Sequence, residues 1–141
     1  MGIEREALAG LRILIVEDEL LVAMLEEEML QDLGCEIVGP ASTLEEAIRS
    51  LRGNRLDGVL LDVNLNGKLS SPVADELLGL GVPFLLVTGY GGSDGDPPAL
   101  RAASRVKKPF DFNELAKRMT EVFIASRRTN AAPGGARSLP A

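Results

Sequence analysis

Leu11-Arg12-Ile13-Leu14-Ile15-Val16-Glu17-Asp18-Glu19 is the stretch on which the fold turns. Its apolar run is too continuous to alternate, so it reads as a strand with both faces buried, the habit of parallel sheets covered by helices on each side. The run stops abruptly on three acids. A helical pattern follows, with Val22, Leu25, Met29 and Leu33 at i, i+3, i+7 and i+11, and Gly34 marks its end. Strand, acids, helix, glycine is one βα unit, and the rest of the chain goes on alternating strand and helix.

Cys35 to Val38 reads as a second strand, and Ser42-Thr43-Leu44-Glu45 has capping-box spacing before a helix with Leu44, Ala47, Ile48 and Leu51 on one face. Gly58-Val59-Leu60-Leu61 is a third buried strand ending on Asp62. Ser71-Pro72 suits an N-cap and first helical residue for a segment reaching Leu80. Val82 to Val87 makes a fourth strand, with Pro83 tolerable only near its start. Gly89 to Pro98 is rich in Gly, Pro, Asp and Ser, so the helix behind it should be short. Arg105-Val106-Lys107 is a brief fifth strand, and Asp111 caps a last helix whose Phe112, Leu115, Met119, Val122 and Phe123 share a face. Five strands alternating with five helices imply an α/β fold: a doubly wound, five-stranded parallel sheet of flavodoxin-like type.

The chain has 141 residues, enough for one domain and one core. Apolar residues make up 45% of it but aromatics only 4%, so the core must be aliphatic. No run approaches the length of a membrane span, and no signal-peptide pattern opens the chain, which leads us to expect a cytoplasmic protein. The formal charge of −6 argues against nucleic acid or an anionic membrane as partner. A single cysteine, Cys35, excludes an internal disulfide, and the absence of histidine removes histidine triads and His-ligated zinc. We expect residues 1–10 to be an N-terminal extension, 11–125 the domain, and 126–141 a disordered tail rich in Ala, Pro and Gly.

Chemistry must then rest on carboxylates, hydroxyls, lysine and backbone. In open parallel sheets, ligands bind outside the carboxyl ends of the strands, near the switch in strand order. Glu17-Asp18, Asp62, Thr88 and Lys107-Lys108 occupy those ends. Singly each is commonplace: an acid there usually caps a helix, and a lone lysine is usually a surface charge. Jointly they converge on one edge. Crowded carboxylates repel, and a hard cation such as Mg²⁺ relieves the repulsion. A carboxylate beside such a metal can also accept a phosphoryl group.

The segments Val16-Glu17-Asp18-Glu19, Leu60-Leu61-Asp62-Val63-Asn64-Leu65, Val87-Thr88-Gly89 and Lys107-Lys108-Pro109-Phe110 resemble the receiver domains of two-component response regulators, the CheY-like fold. The resemblance covers about residues 11–125. It implies that Asp62 is the phospho-acceptor and a metal ligand, that Asp18 ligates Mg²⁺ directly and Glu17 mostly through water, and that Asn64 lends its backbone carbonyl. It makes Thr88 the switch hydroxyl, Lys108 the cation paired with the phosphoryl group, and Lys108-Pro109 a cis bond. The donor would be a sensor histidine kinase or a histidine phosphotransfer protein, and a downstream protein target would read the result.

One position departs from that family. Receivers usually carry an aromatic three residues before the lysine, and here Arg105 stands there. Pro83-Phe84-Leu85-Leu86-Val87-Thr88-Gly89-Tyr90-Gly91 instead resembles the subgroup nicknamed FATGUY, whose members are commonly single-domain. We therefore expect Gly89 to Ala103 to be the mobile switch, with Tyr90 supplying part of the readout. No helix-turn-helix or catalytic pattern follows residue 125, so signalling should pass through protein contacts or phosphate flow. Two other readings compete: a receiver-fold docking module that works without phosphorylation, and an aspartate-nucleophile phosphatase, which lacks its second aspartate where Asn64 stands.

Overall fold

The computed structural model describes residues 6–89 and 96–125. In chain order its strands are β1 (Arg12–Val16), β2 (Glu36–Ala41), β3 (Gly58–Asp62), the short β4 (Asn64–Leu65) and β5 (Lys68–Leu69), β6 (Phe84–Thr88) and β7 (Arg105–Lys107). The helices are α1 (Leu20–Asp32), α2 (Leu44–Gly53), α3 (Ser71–Leu80), α4 (Pro98–Arg101) and α5 (Phe112–Met119), the last running on into a π-helical turn, Thr120–Ile124. Five strands pair in parallel in the order β2-β1-β3-β6-β7. The expected doubly wound α/β sheet is what forms. β4 and β5 make a separate antiparallel hairpin directly after β3, which the sequence reading does not contain.

Alternation across the sheet explains the continuous apolar runs. Ile13 and Ile15 enter one core layer with Leu30, Leu60, Leu115 and Phe123, while Leu14 and Val16 enter the other with Leu51, Leu61, Leu77 and Leu86. Successive side chains of β1 point to opposite faces, and both faces are covered. Gly58 opens β3 because Phe123 lies over it: a β-carbon there would meet the ring at 2.7 Å. Phe123 itself is wholly buried.

The structure corrects several local expectations. Of the expected α1 pattern, Leu33 is buried and Met29 packs against the core, but Leu25 is half exposed beside Leu20, Leu21 and Met24, and within the helix the buried residues are Ala23, Glu26 and Leu30. That buried set contains an acid, so apolar spacing alone leaned toward the neighbouring face. The capping box before α2 is displaced by one residue: Thr43 Oγ1 accepts from the Glu46 N–H at 3.1 Å, and Glu46 Oε1 accepts from the Ser42 N–H at 2.8 Å. Ser70, not Ser71, precedes α3. Asp111 does cap α5, accepting from the Glu114 N–H at 2.8 Å.

The folded body reaches back beyond the expected start at Leu11. Leu8 is 0% exposed and packs in the α1/α5 core layer, and its carbonyl accepts from the Leu11 N–H at 3.2 Å. Cys35 is buried beside it, and burial pushes its thiol up to about 11, as suits a small core residue. The remainder of the N-terminal extension, Tyr90 to Gly95 of the expected switch, and the C-terminal tail lie outside the described residues. α4, on the far side of that segment, has four residues, in keeping with the Gly- and Pro-rich sequence ahead of it. Among the described residues no helix is long and apolar enough to cross a membrane.

Candidate functional site

Strand register carries the candidate residues to one edge. Val16 pairs with Leu61, Asp62 with Val87, and Thr88 with Lys107. The order reverses at β1, which has β2 on one side and β3 on the other, so Glu17, Asp18 and Asp62 stand at the switch point. The Glu17 N–H donates to the Ala41 carbonyl at 2.9 Å, and the Lys108 N–H to the Thr88 carbonyl at 2.7 Å, which ties the loops behind β1 and β7 to the sheet.

Glu17, Asp18 and Asp62 each offer a carboxylate oxygen, and these atoms lie within 4.8 Å of one another. Lys108 Nζ stands 3.3 Å from Glu17 Oε1, 3.7 Å from Asp62 Oδ2 and 3.5 Å from Glu19 Oε1. Asp18, Glu19, Asp62, Asn64, Gly89 and Lys108 line an open cleft of about 400 Å³. The β4–β5 hairpin supports one wall: the Asn66 N–H donates to Asp18 Oδ2 at 2.9 Å, and Asn64 Oδ1 accepts from the Gly67 N–H at 2.9 Å.

Charge in this cleft is unbalanced. Asp62 is 6% exposed, and burial, then the charge and hydrogen-bonding contact of Glu17, push its carboxyl up to about 7, against Lys108 and the Asn64 N–H. Burial works to lower the Lys108 pKa, but the charges of Asp62 and Glu17 outweigh it and hold it above the ordinary value. An oxygen-only donor set with more negative than positive charge fits a hard divalent cation: Mg²⁺ is bound by one or two carboxylates and keeps several waters, for which the open cleft has room.

Thr88 is buried at the end of β6, one strand from Asp62. The Lys108-Pro109 bond is cis, as is Gly39-Pro40. Arg105 turns toward α4, where its Nη2 donates to the Leu100 carbonyl at 2.6 Å, and its Nη1 is buried without a partner among the described residues. Two residues escaped the sequence reading. Glu19 contributes a third carboxylate to Lys108, and Glu26 lies buried on α1, where the charges of Glu17, Lys108 and Asp62 act on it. An acid spaced three and four residues from Ala23 and Leu30 was the available signal for Glu26.

A buried carboxyl, an acidic pair, a strand-end threonine and a lysine thus meet at one edge of a doubly wound parallel sheet. The response regulator receiver domain model matches residues 13–120, and the chain belongs to that family. It is similar to the transcriptional regulatory protein PdtaR of Mycobacterium tuberculosis, 30% identical over 115 residues, covering 79% of this chain and 56% of that protein. The match spans between 34% and 56% of the length of the curated relatives. Among solved structures it resembles the receiver domain of the sensor histidine kinase PA1611 from Pseudomonas aeruginosa, with magnesium coordinated in the active-site cleft: TM-score 0.71, 27% identity, 83% of this chain and 99% of that one. It also resembles the response regulator TrrA of Thermotoga maritima in complex with Mg²⁺-BeF: TM-score 0.69, 32% identity, 78% of this chain and 96% of that one.

Proposed function

We propose that this receiver accepts a phosphoryl group on Asp62 from the phosphohistidine of a sensor kinase or histidine phosphotransfer protein, and signals through protein contacts or onward phosphate flow. The observation that carries this reading is the placement of the Asp62 carboxyl: at the cleft wall, within ion-pair distance of Lys108 and beside the acidic pair. An Asp62 oxygen attacks phosphorus, the phosphorus–nitrogen bond breaks, and the imidazole nitrogen leaves with the electron pair. Lys108 neutralises charge on the phosphoryl oxygens, and the Thr88 hydroxyl turns onto one of them. Glu17, Asp18, Asp62 and the Asn64 backbone carbonyl would hold Mg²⁺, which would supply fixed positive charge, so the catalysis is positioning and electrostatics. Water then attacks the phosphorus, its bond to the Asp62 oxygen breaks, and inorganic phosphate leaves, which returns Asp62, so the chain reads as a phospho-acceptor with self-limiting chemistry rather than an enzyme acting on a separate substrate.

The donor must seat over the cleft rim. Leu20 and Leu21 begin α1 two residues after Asp18, and Leu21 is 79% exposed, with Met24 and Leu25 on the next turn. This apolar rim suits burial against a protein donor, and the net negative charge suits a protein rather than nucleic acid.

Asp62→Asn should abolish acid-labile phosphorylation and Mg²⁺-dependent beryllofluoride binding while the folded spectrum persists. Label retained at the wild-type level would refute the assignment. A protein that docks equally well on its partner in wild-type and Asp62→Asn forms would instead be the phosphorylation-independent module.

A further inference from the structure

Asp18 is the half-buried member of the acidic trio, while Glu17 and Asp62 are buried. A carboxylate at the mouth of a cleft samples several rotamers, and ordering it costs metal affinity unless a neighbour already holds it. The neighbour here is the β4–β5 hairpin. Leu65 pairs with Lys68, so Asn66 and Gly67 form its turn, and both have positive φ, 53° and 82°. That is the type I′ pattern, which Asn-Gly favours. Such a turn closes on the N–H of the residue after it, which leaves the N–H groups of its two central residues for other partners. Gly67 gives its own to Asn64 Oδ1 at 2.9 Å, inside the hairpin. Asn66 reaches outward. Its backbone N–H donates to Asp18 Oδ2 at 2.9 Å, and its side-chain Nδ2 donates to the Ser42 carbonyl at 3.0 Å, between β2 and α2. One residue thus ties together the chain segments that leave β1, β2 and β3. A turn that only reversed the chain would need neither contact.

We propose that Asn66 is a positioning residue of the metal site: its N–H fixes the Asp18 carboxylate, and its side chain, moored to Ser42, holds the turn where it can do so. The charge-assisted N–H···O⁻ bond on one oxygen restrains the Asp18 side chain and leaves the other oxygen for the cation. The hairpin also begins at Asn64, read above as lending its backbone carbonyl, so one turn sets two donors at once. This role rests on the reading of Glu17, Asp18 and Asp62 as the Mg²⁺ site.

The test uses the full chain, Mg²⁺ alone as the probe, and Asn66→Gly. Glycine keeps the N–H and accepts the positive φ, so the turn still forms, but the tie to Ser42 is gone. Asn66→Gly should bind Mg²⁺ about tenfold more weakly in a metal titration, with the thermal midpoint of the metal-free protein lowered by only a few degrees. In the wild type the Asn66 amide proton should resonate at low field, as a donor to a carboxylate does. It should move upfield in Asp18→Ala, and the amide proton at the same position should move part of the way in Asn66→Gly. Unchanged Mg²⁺ affinity in Asn66→Gly would overturn the proposal, and so would an amide resonance that does not respond to Asp18→Ala. A large fall in the thermal midpoint together with the lost affinity would mark a structural residue, and would overturn it too. If the wild type fails to bind Mg²⁺, or Asp18→Ala binds it as tightly, the metal-site reading falls and takes this role with it; if the wild type binds and Asn66→Gly matches it, only the role of Asn66 falls.

Discussion

Burial and Glu17 raise the Asp62 carboxyl from an ordinary 3.8 to about 7, and burial raises Glu26 from 4.5 to about 8. Between those ordinary values and the raised ones, the folded state holds protons that the unfolded state has released. Stability therefore falls as pH rises through that window. The thermal midpoint of the metal-free protein should drop from about pH 5 to about pH 8, and Asp62→Asn should flatten the part below about pH 7. A midpoint that climbs over this range would contradict the assignment of both acids. Removing a ligand tests the other half of the site: Asp18→Ala should lose more Mg²⁺ affinity in a metal titration than Glu17→Ala, because Asp18 faces the open cleft while Glu17 is already engaged by Lys108. The reverse order would exchange their roles. The acidic pair, Asp62, Thr88 and Lys108 were legible because each closes an apolar strand; Glu26 was not, because an acid in mid-helix reads as solvent-facing.

The elements show where periodicity suffices and where it misleads. The faces of α2 and α5 were legible because their apolar residues are also their buried ones: Ala47 and Leu51 in the first, Leu115 and Met119 in the second, with Phe123 in the π-helical turn that continues it. α1 carries apolar residues nearly all round its first two turns, so spacing could not say which side faces the sheet. That surplus is the rim assigned to the donor. Leu21→Asp should slow phosphotransfer from a histidine donor about tenfold or more and leave labelling by a small acyl phosphate unchanged. Equal slowing of both would place the defect in the site rather than the rim. Packing of the last helix on β3 is tested at Gly58: an added methyl must displace the Phe123 ring, so Gly58→Ala should cost about 1–3 kcal/mol in denaturant unfolding. No change in the midpoint would mean that the ring moves freely.

Across the whole molecule, two core layers sandwich one sheet, and the chain ahead of β1 belongs to one of them. Leu8 fills the α1/α5 layer beside Leu11 and Leu33, and the Gly10 N–H donates to the Gly34 carbonyl at 2.8 Å, closing that edge. Leu8→Ala should therefore destabilise by about 2–4 kcal/mol, measured by chemical denaturation, where a residue in a loose extension would cost almost nothing. A change under about 0.5 kcal/mol would return Leu8 to the surface.

The sequence by itself determined the fold class and which residues gather at the candidate site, because both follow from local order along the chain: runs buried on two faces, each ended by a polar or charged residue, in the strand order that parallel crossovers permit. Only the tertiary structure decided which side of α1 is buried, that Leu8 belongs to the core, that the Phe123 ring lies over Gly58, and that Glu26 is buried. Those facts depend on which surfaces meet across the fold, and burial there assigns an environment, not a residue type.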